Sequence, residues 1–378
     1  MPLTIRGIGT ALPAHGVTQH DAAVLARRFS ADSAARAALV ERVQRRTRVH
    51  TRHSVLLESG EPDSPISERL PFYGDRNPST AERMQRFARA AGPLALAAVR
   101  RALADAGVPA ERVTHLVTVC CTGFQAPGFD LELITQLPLH PDVERTQVGF
   151  MGCHGALNGL RVARAFVEAD PQACVLLCSL ELCSLHLHYG WDPEKVVANA
   201  LFADGAAALV VTSATATTTT ATTTAGAGAG EPGQPAGLRA LASGSTVIPD
   251  TAELMSWTIG DHGFAMGLSP QVPAAVAAHL RPWLEGWLGR QGLTIEAIGA
   301  WALHPGGPRI LQASATALGL APEQIAVSEA VLRQHGNMSS ATILFILERL
   351  RRARTSGPWL ALAFGPGLTV EAALLDTP

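Results

Sequence analysis

Two periods of apolar residue spacing alternate along this chain. Short, nearly continuous apolar runs fall at residues 5–11, 115–121, 145–152, 173–184, 206–212, 238–247, 257–268, 297–304, 359–364 and 368–375. Runs of that length read as buried strands, and 145–152 is the one that leads into Cys153. Between them, apolar residues return every three to four positions over 21–28, 34–45, 79–106, 131–137, 193–202, 272–288, 307–318, 321–333 and 339–352, and from 153 to about 170. That spacing predicts helices with one buried face. The longest carries its own punctuation, Ser79 as N-cap and Gly107-Val108-Pro109 as stop. Residues 54–78, rich in Pro, Ser, Gly and acidic side chains, show neither period and read as a long loop.

The pattern divides the chain in three. Residues 1–212 and 238–378 each alternate strands with helices and end in adjacent strands, which predicts two related α/β halves packed as layers around sheets. Residues 213–237 are almost entirely Ala, Thr, Gly and Pro. Such a segment buries too little apolar surface to order itself, so a flexible insertion is expected between the halves.

Composition narrows the function. With 47% hydrophobic and 16% charged residues, much of the 378-residue chain is buried. A net charge of −2 argues against nucleic acid or an anionic membrane surface as the main partner. No uninterrupted apolar stretch reaches membrane-spanning length, and the first residues lack the basic and apolar regions of a signal peptide. The six cysteines, Cys120, Cys121, Cys153, Cys174, Cys178 and Cys183, show no zinc spacing. The expectation is a cytoplasmic protein with reduced thiols and no stable membrane insertion.

Three short motifs carry chemistry. Gly152 and Gly155 bracket Cys153 where a strand pattern gives way to a helical one. A sulfur on such a turn faces a helix N-terminus, whose partial positive charge favours thiolate. In the second half, Trp301-Ala302-Leu303-His304 ends a strand before Pro305-Gly306-Gly307, so His304 occupies the place that Cys153 holds in the first. Asn337, after Gly336, precedes a helix start at Ser339 or Ser340. A cysteine, a histidine and an asparagine at element ends suit a thioester condensation. The thiolate takes an acyl group, and the imidazole and carboxamide hold the enolate oxygen of a decarboxylating malonyl thioester. A dry pocket protects the carbanion.

The segments VGFMGCHGALNGLRVA, WALHPGGPRIL, HGNMSSATILFIL and FGPGLTVEAALL resemble the type III polyketide synthases, the chalcone synthase-like enzymes, and bacterial members in particular. The resemblance covers nearly the whole chain. It implies a thiolase fold with a layered αβαβα core, a homodimer, and acyl-CoA and malonyl-CoA as substrates with no further cofactor. It implies Cys153 as nucleophile, with His304 and Asn337 as the decarboxylation pair. Phe202 falls on a gatekeeping phenylalanine and Met266 on a second gatekeeper, usually aromatic, where a thioether suggests a more adaptable passage. Arg42, Arg45 and Arg46 fall where basic residues meet coenzyme A phosphates. Cys121, Thr122, His186 and Ser339 match cavity positions. Ala126 matches a cavity and dimer-interface position where a methionine from the partner subunit is usual. Small side chains there point to a channel for a long acyl chain, hence to fatty acyl-CoA starters and alkylresorcinol or alkylpyrone products. The rivals are a priming-type ketoacyl-acyl carrier protein synthase and a non-catalytic thiolase-fold subunit. The first normally continues its histidine motif with Gln-Ala-Asn rather than Pro-Gly-Gly-Pro, and the intact triad speaks against the second.

Overall fold

A computed structural model of the chain describes residues 3–59, 64–214 and 237–377. The strands are β1 Leu3–Ala11, β2 Gly16–Thr18, β3 Thr51–His53, β4 His115–Cys120, β5 Glu144–Gly149, β6 Cys174–Leu182, β7 Asp204–Ser213, β8 Leu238–Val247, β9 Met255–Gly260, β10 Gly263–Leu268, β11 Ala300–Leu303, β12 Trp359–Gly365 and β13 Thr369–Asp376. The α-helices are α1 Gln19–Ser30, α2 Ala34–Arg46, α3 Thr80–Ala106, α4 Phe129–Gln136, α5 Gly155–Ala169, α6 Pro193–Leu201, α7 Val272–Gly289, α8 Pro308–Leu318, α9 Pro322–His335 and α10 Thr342–Arg352.

Nine strands form one sheet in the order β11-β12-β13-β8-β1-β7-β6-β4-β5. The N-terminal strand β1 is the seam, antiparallel to β7 on one side and β8 on the other. Side-chain alternation then sorts the molecule into layers. On β6, Leu176, Cys178 and Leu180 pack with the inner face of α3. Val175 and Leu177 point the other way, into a cluster shared with Leu157 and Leu160 of α5 and Ile343 and Leu347 of α10. Trp359, Ala361 and Ala363 of β12 enter that same cluster, while Leu360, Leu362 and Phe364 face α7 and α8. The order is therefore helix, one half of the sheet, the α5 and α10 pair, the other half of the sheet, helix.

α3 starts at a capping box in which Ser79 and Glu82 satisfy each other's backbone, and it stops at left-handed Gly107. One turn in, the fully buried Arg83 donates to Pro78 O at 3.0 Å, Tyr73 Oη at 3.0 Å and Leu187 O at 3.1 Å. This guanidinium bonds the 64–79 loop to the segment after β6.

Three expectations change. β5 alternates exposed and half-buried residues because it lies at the sheet edge with β4 as its one neighbour. The strand expected over 257–268 is a hairpin of β9 and β10 that turns at Asp261 and His262. The helix after β5 begins at Gly155, and Cys153 lies in the 3-10 turn Gly152–His154 ahead of it. The expected insertion falls almost wholly on residues 215–236, outside the described residues.

Candidate active site

Cys153 reaches its place through a backbone contortion. Phe150 at φ 56° and Gly152 at φ 67° reverse the chain between β5 and α5. A Cβ on Gly152 would stand 2.4 Å from Pro366 Cδ, so only glycine lets the turn close against the loop after β12. The Gly365 position is equally tight, because a Cβ there would fall 2.2 Å from the His154 ring.

His304 follows β11, its N–H on Leu362 O at 2.8 Å. The residue is 1% exposed, and neither ring nitrogen has a protein partner among the described residues. Two vacant polar atoms in a buried imidazole mark a group kept ready for a ligand. Asn337 is fixed by its backbone, which bonds Leu201 O at 2.8 Å and Ala203 N at 2.9 Å on either side of Phe202. Its Oδ1 accepts from Ser339 N at 2.8 Å, and its Nδ2 donates to Gly306 O at 3.3 Å, two residues past His304. The Asn337 and Ser339 side chains stand near enough to the Cys153 sulfur to favour its thiolate. The carboxamide thus links the sulfur to the histidine turn.

The charges differ from the expected thiolate. Burial pushes the Cys153 thiol up to about 11, against the opposing pull of Ser339 and Asn337. Burial, with the neighbouring His154, pushes His304 down to about 3. Without substrate the pair is a neutral thiol and a neutral imidazole, because desolvation outweighs the helix N-terminus.

A chamber with about 20 Å³ of free volume opens on Cys153, room for roughly one water. Its lining includes five predicted residues besides Cys153, namely Cys121, Thr122, Phe202, Met266 and Ser339. Neither His304 nor Asn337 is part of that lining. His186 lies one layer away and its polar atoms are spent. Nε2–H donates to Thr122 O at 2.7 Å, and Nδ1 accepts from Phe264 N at 3.0 Å. Burial pushes it to about 3, so it is a neutral clip between segments. Ala126 is exposed on the loop after β4 and is not part of the lining of the Cys153 chamber. Of the predicted arginines, Arg46 lines a cleft of about 650 Å³ and Arg45 an adjoining pocket of about 240 Å³, whereas exposed Arg42 lines neither.

Other residues at the site were not singled out from the sequence. Trp257 walls the chamber with its Nε1–H on Cys121 O at 2.7 Å, and Cys183 stands beside it. Glu181 is fully buried and accepts from Thr122 Oγ1 at 2.7 Å, Cys121 N at 3.1 Å and Ser340 Oγ. A lone acid inside the apolar run of β6 was its visible signal. His154 donates from Nδ1 to Asn158 Oδ1 at 2.6 Å, and Asn158 Nδ2 donates to Glu371 at 3.1 Å. Arg48 and Arg309 join Arg46 in the wide cleft. Its floor includes Leu201, Gly306 and Gly307, which places its inner end next to Phe202 and the His304 turn.

The chain matches the family models for the N-terminal domain of chalcone and stilbene synthases over residues 2–215 and for the C-terminal domain over 240–377. It is 34% identical over 375 residues to a 1,3,6,8-tetrahydroxynaphthalene synthase of Streptomyces peucetius, covering 98% of this chain and 92% of that one. It is 32% identical over 376 residues to an alpha-pyrone synthesis polyketide synthase-like protein, Pks18, of Mycobacterium tuberculosis, covering 98% and 90%. Among solved structures it resembles PKS-I of the brown alga Ectocarpus siliculosus with a TM-score of 0.86 at 28% identity, covering 100% of this chain and 98% of that one. A fungal type III polyketide synthase, ORAS, follows with a TM-score of 0.83 at 28% identity and complete coverage of both chains. These matches exclude the carrier-protein synthase reading, and the five layers are those of the thiolase fold. The chain belongs to the chalcone and stilbene synthase family, the type III polyketide synthases, and is an acyltransferase that works on coenzyme A thioesters.

Proposed function

We propose that Cys153, His304 and Asn337 carry a decarboxylative condensation of malonyl-CoA onto a fatty acyl-CoA starter, with an alkylpyrone or alkylresorcinol as product. The single observation behind the residue roles is the set of vacant donors at the His304 turn, which Asn337 bonds through Gly306. His304 has both nitrogens free, and the Asn337 amide has a second N–H beyond the one given to Gly306.

The chemistry follows from the neutral resting state. Cys153 gives its proton to His304 as the sulfur attacks the starter thioester. The coenzyme A thiolate leaves and takes that proton, and His304 returns to neutral. Malonyl-CoA then loses carbon dioxide, and the electrons of the broken C–C bond pass into an enolate. Its oxygen accepts from the imidazole N–H and from Asn337 Nδ2. A neutral imidazole holds the oxygen without handing a proton to the carbanion. The carbanion attacks the acyl carbonyl, the C–S bond breaks, and the departing Cys153 thiolate takes a proton from solvent, which restores the resting thiol.

The wide cleft suits the carrier half of the substrate. Arg46, Arg48 and Arg309 offer guanidinium forks to phosphates, and the passage runs over Leu201 and Gly307 towards Phe202. The fatty starter agrees with the apolar surroundings of the site, and a pyrone product agrees with the alpha-pyrone synthesis for which the Mycobacterium relative is named. The protein acts as a homodimer in this reading. Exposed Phe124, Phe150 and Met151 stand beside the open edge strand β5, an apolar patch next to the Cys153 turn that a second copy would cover.

Product assays test the roles. Cys153→Ala should abolish condensation yet leave part of the malonyl-CoA decarboxylation, while His304→Ala and Asn337→Ala should each slow decarboxylation by roughly a hundredfold. Polyketide formed by Cys153→Ala would refute the nucleophile. Sedimentation of the wild type and Phe124→Asp tests the dimer, which a monomeric wild type would exclude.

A further inference from the structure

Either partner of the condensation is larger than the Cys153 chamber, whose free volume of about 20 Å³ holds roughly one water. A wall must therefore move before an acyl group and a malonyl unit meet there. Most of the walls are fixed. Glu181 holds Cys121 N at 3.1 Å and Thr122 Oγ1 at 2.7 Å. Cys183 precedes Ser184, whose N–H is on Asp204 at 2.7 Å. Phe202 O accepts from Arg52 at 3.0 Å, Ser339 N donates to Asn337 Oδ1 at 2.8 Å, and Gly152 is wedged against Pro366. Met255, Trp257 and Met266 remain, and all three lie on the β9–β10 hairpin.

The hairpin is a two-stranded ribbon of its own, not joined to the nine-stranded sheet. It is pinned at both ends. At the root, Ser269 N donates to Leu254 O at 2.9 Å and Leu268 N to Glu194 Oε2 at 2.9 Å. At the tip the main anchor is Thr80, the first residue of α3. Thr80 N donates to Asp261 O at 2.8 Å, and its hydroxyl donates to Gly260 O and accepts from Gly263 N at 2.8 Å. His262 Nδ1–H adds a bond to Pro78 O at 3.3 Å, and Phe264 N donates to His186 Nδ1 at 3.0 Å.

The centre of the ribbon is held far less. Among the described residues, Trp257 Nε1–H on Cys121 O at 2.7 Å is the hydrogen bond that ties it to the rest of the chain. Met266 lies opposite Trp257 in the β9–β10 ladder. The ladder bonds stay within the ribbon, so its centre bows outward without unpairing the two strands. Breaking one hydrogen bond costs less than breaking the group at the tip, so the centre yields first.

We propose that the β9–β10 ribbon is the expandable wall of the Cys153 chamber, bowing at Trp257 and Met266 as substrates enter, and that Thr80 is the latch that keeps its tip shut against water. Thr80 touches no reacting atom and is a positioning residue that acts through the ribbon. The proposal rests on the condensation reading above. A wall that bows between two pinned ends makes room without opening the chamber to solvent. Where water does enter, malonyl-CoA that has lost carbon dioxide takes a proton from it and leaves as acetyl-CoA, and the hydroxide passes to buffer. Acetyl-CoA formed per polyketide therefore reads the latch.

The test uses the full-length enzyme. Thr80→Val removes the hydroxyl at nearly constant shape, and Thr80→Ser keeps it. Hydrogen exchange read by mass spectrometry should be about tenfold faster at the Asp261–Gly263 amides in Thr80→Val, for the two hydrogen bonds lost, and unchanged in Thr80→Ser. With an acyl-CoA starter and malonyl-CoA, acetyl-CoA formed per polyketide should rise by roughly threefold or more in Thr80→Val alone, a ratio that a smaller folded fraction would not move. Equal behaviour of the two variants overturns the latch, and faster exchange with an unmoved ratio overturns its sealing role. The bowing is read without a change at Thr80. An iodoacetamide adduct on Cys153 should shift the emission of Trp257, taken as the difference from Trp257→Phe, to longer wavelength. Unshifted emission over a fully alkylated sulfur overturns the moving wall. Exchange and emission need no turnover, so a wild type that forms no polyketide would overturn the condensation reading and leave those two results to judge the wall.

Discussion

At the scale of single residues, the resting state of Cys153 is the sharpest departure from expectation. A cysteine at the start of a helix ordinarily gains from the partial charge there, but this one is so far desolvated that its thiol rises to about 11. Its reactivity should therefore follow hydroxide. Alkylation by iodoacetamide, read at the Cys153 peptide by mass spectrometry, should climb about tenfold per pH unit from 7 to 9. A plateau near neutrality would mean a preformed thiolate–imidazolium pair. The Ser339 and Asn337 side chains favour the thiolate, so Ser339→Ala should slow alkylation at fixed pH by roughly tenfold. An unchanged rate would remove Ser339 from the account.

At the scale of elements, the site is held by turns that tolerate one residue type. Gly336 has φ 74° and ψ −167°, and a Cβ there would come 2.8 Å from Leu201 O. The backbone pairing it would disturb is the one that sets Asn337 beside Phe202. Gly336→Ala should cost about 1–3 kcal/mol in urea unfolding and at least tenfold in decarboxylation. Gly286→Ala, within α7 with nothing near its Cβ, should be neutral or slightly stabilising. Equal behaviour of the two would mean that the Asn337 turn relaxes freely. The same contrast separates what the sequence made legible from what it did not. Local signals sufficed for the Cys153, His304 and Asn337 turns, because glycine, proline and the change of period mark them directly. The hairpin of β9 and β10 was legible too, in Gly260-Asp261-His262-Gly263, but a continuous strand fitted the apolar pattern equally well. Trp257 and Cys183 were hidden for a different reason. Each reaches the chamber through pairings between distant segments, such as Trp257 with the Cys121 carbonyl, and no local pattern records those.

At the scale of the whole molecule, the dryness that the chemistry needs has a price in acid stability. His304 and His186 are held neutral down to about pH 3, and His335 to about 4, in each case first through burial. In the unfolded chain all three titrate near 6.5. Between the folded and unfolded values the unfolded state binds the extra protons, so their contribution is complete above about 6.5 and drains away as the pH falls towards 3 or 4. Each fully buried histidine removes about 1.4 kcal/mol per pH unit across that window. Two buried carboxyls act in the opposite sense. Burial raises Asp204 to about 6, so between roughly pH 4 and 6 unfolding releases its proton and blunts the fall, and burial raises Glu181 in the same direction. Three histidines against two acids leave a net loss, which steepens as the pH falls from 6.5 towards 5 and the unfolded imidazoles fill with protons. Calorimetric melting should therefore show Tm falling from pH 7 to pH 5, with net proton uptake on unfolding at pH 6. A Tm that holds or rises over that range would mean that water or charge already reaches the imidazoles in the folded state. His304 would then be an acid able to quench the carbanion, and the neutral-donor mechanism would fail with it.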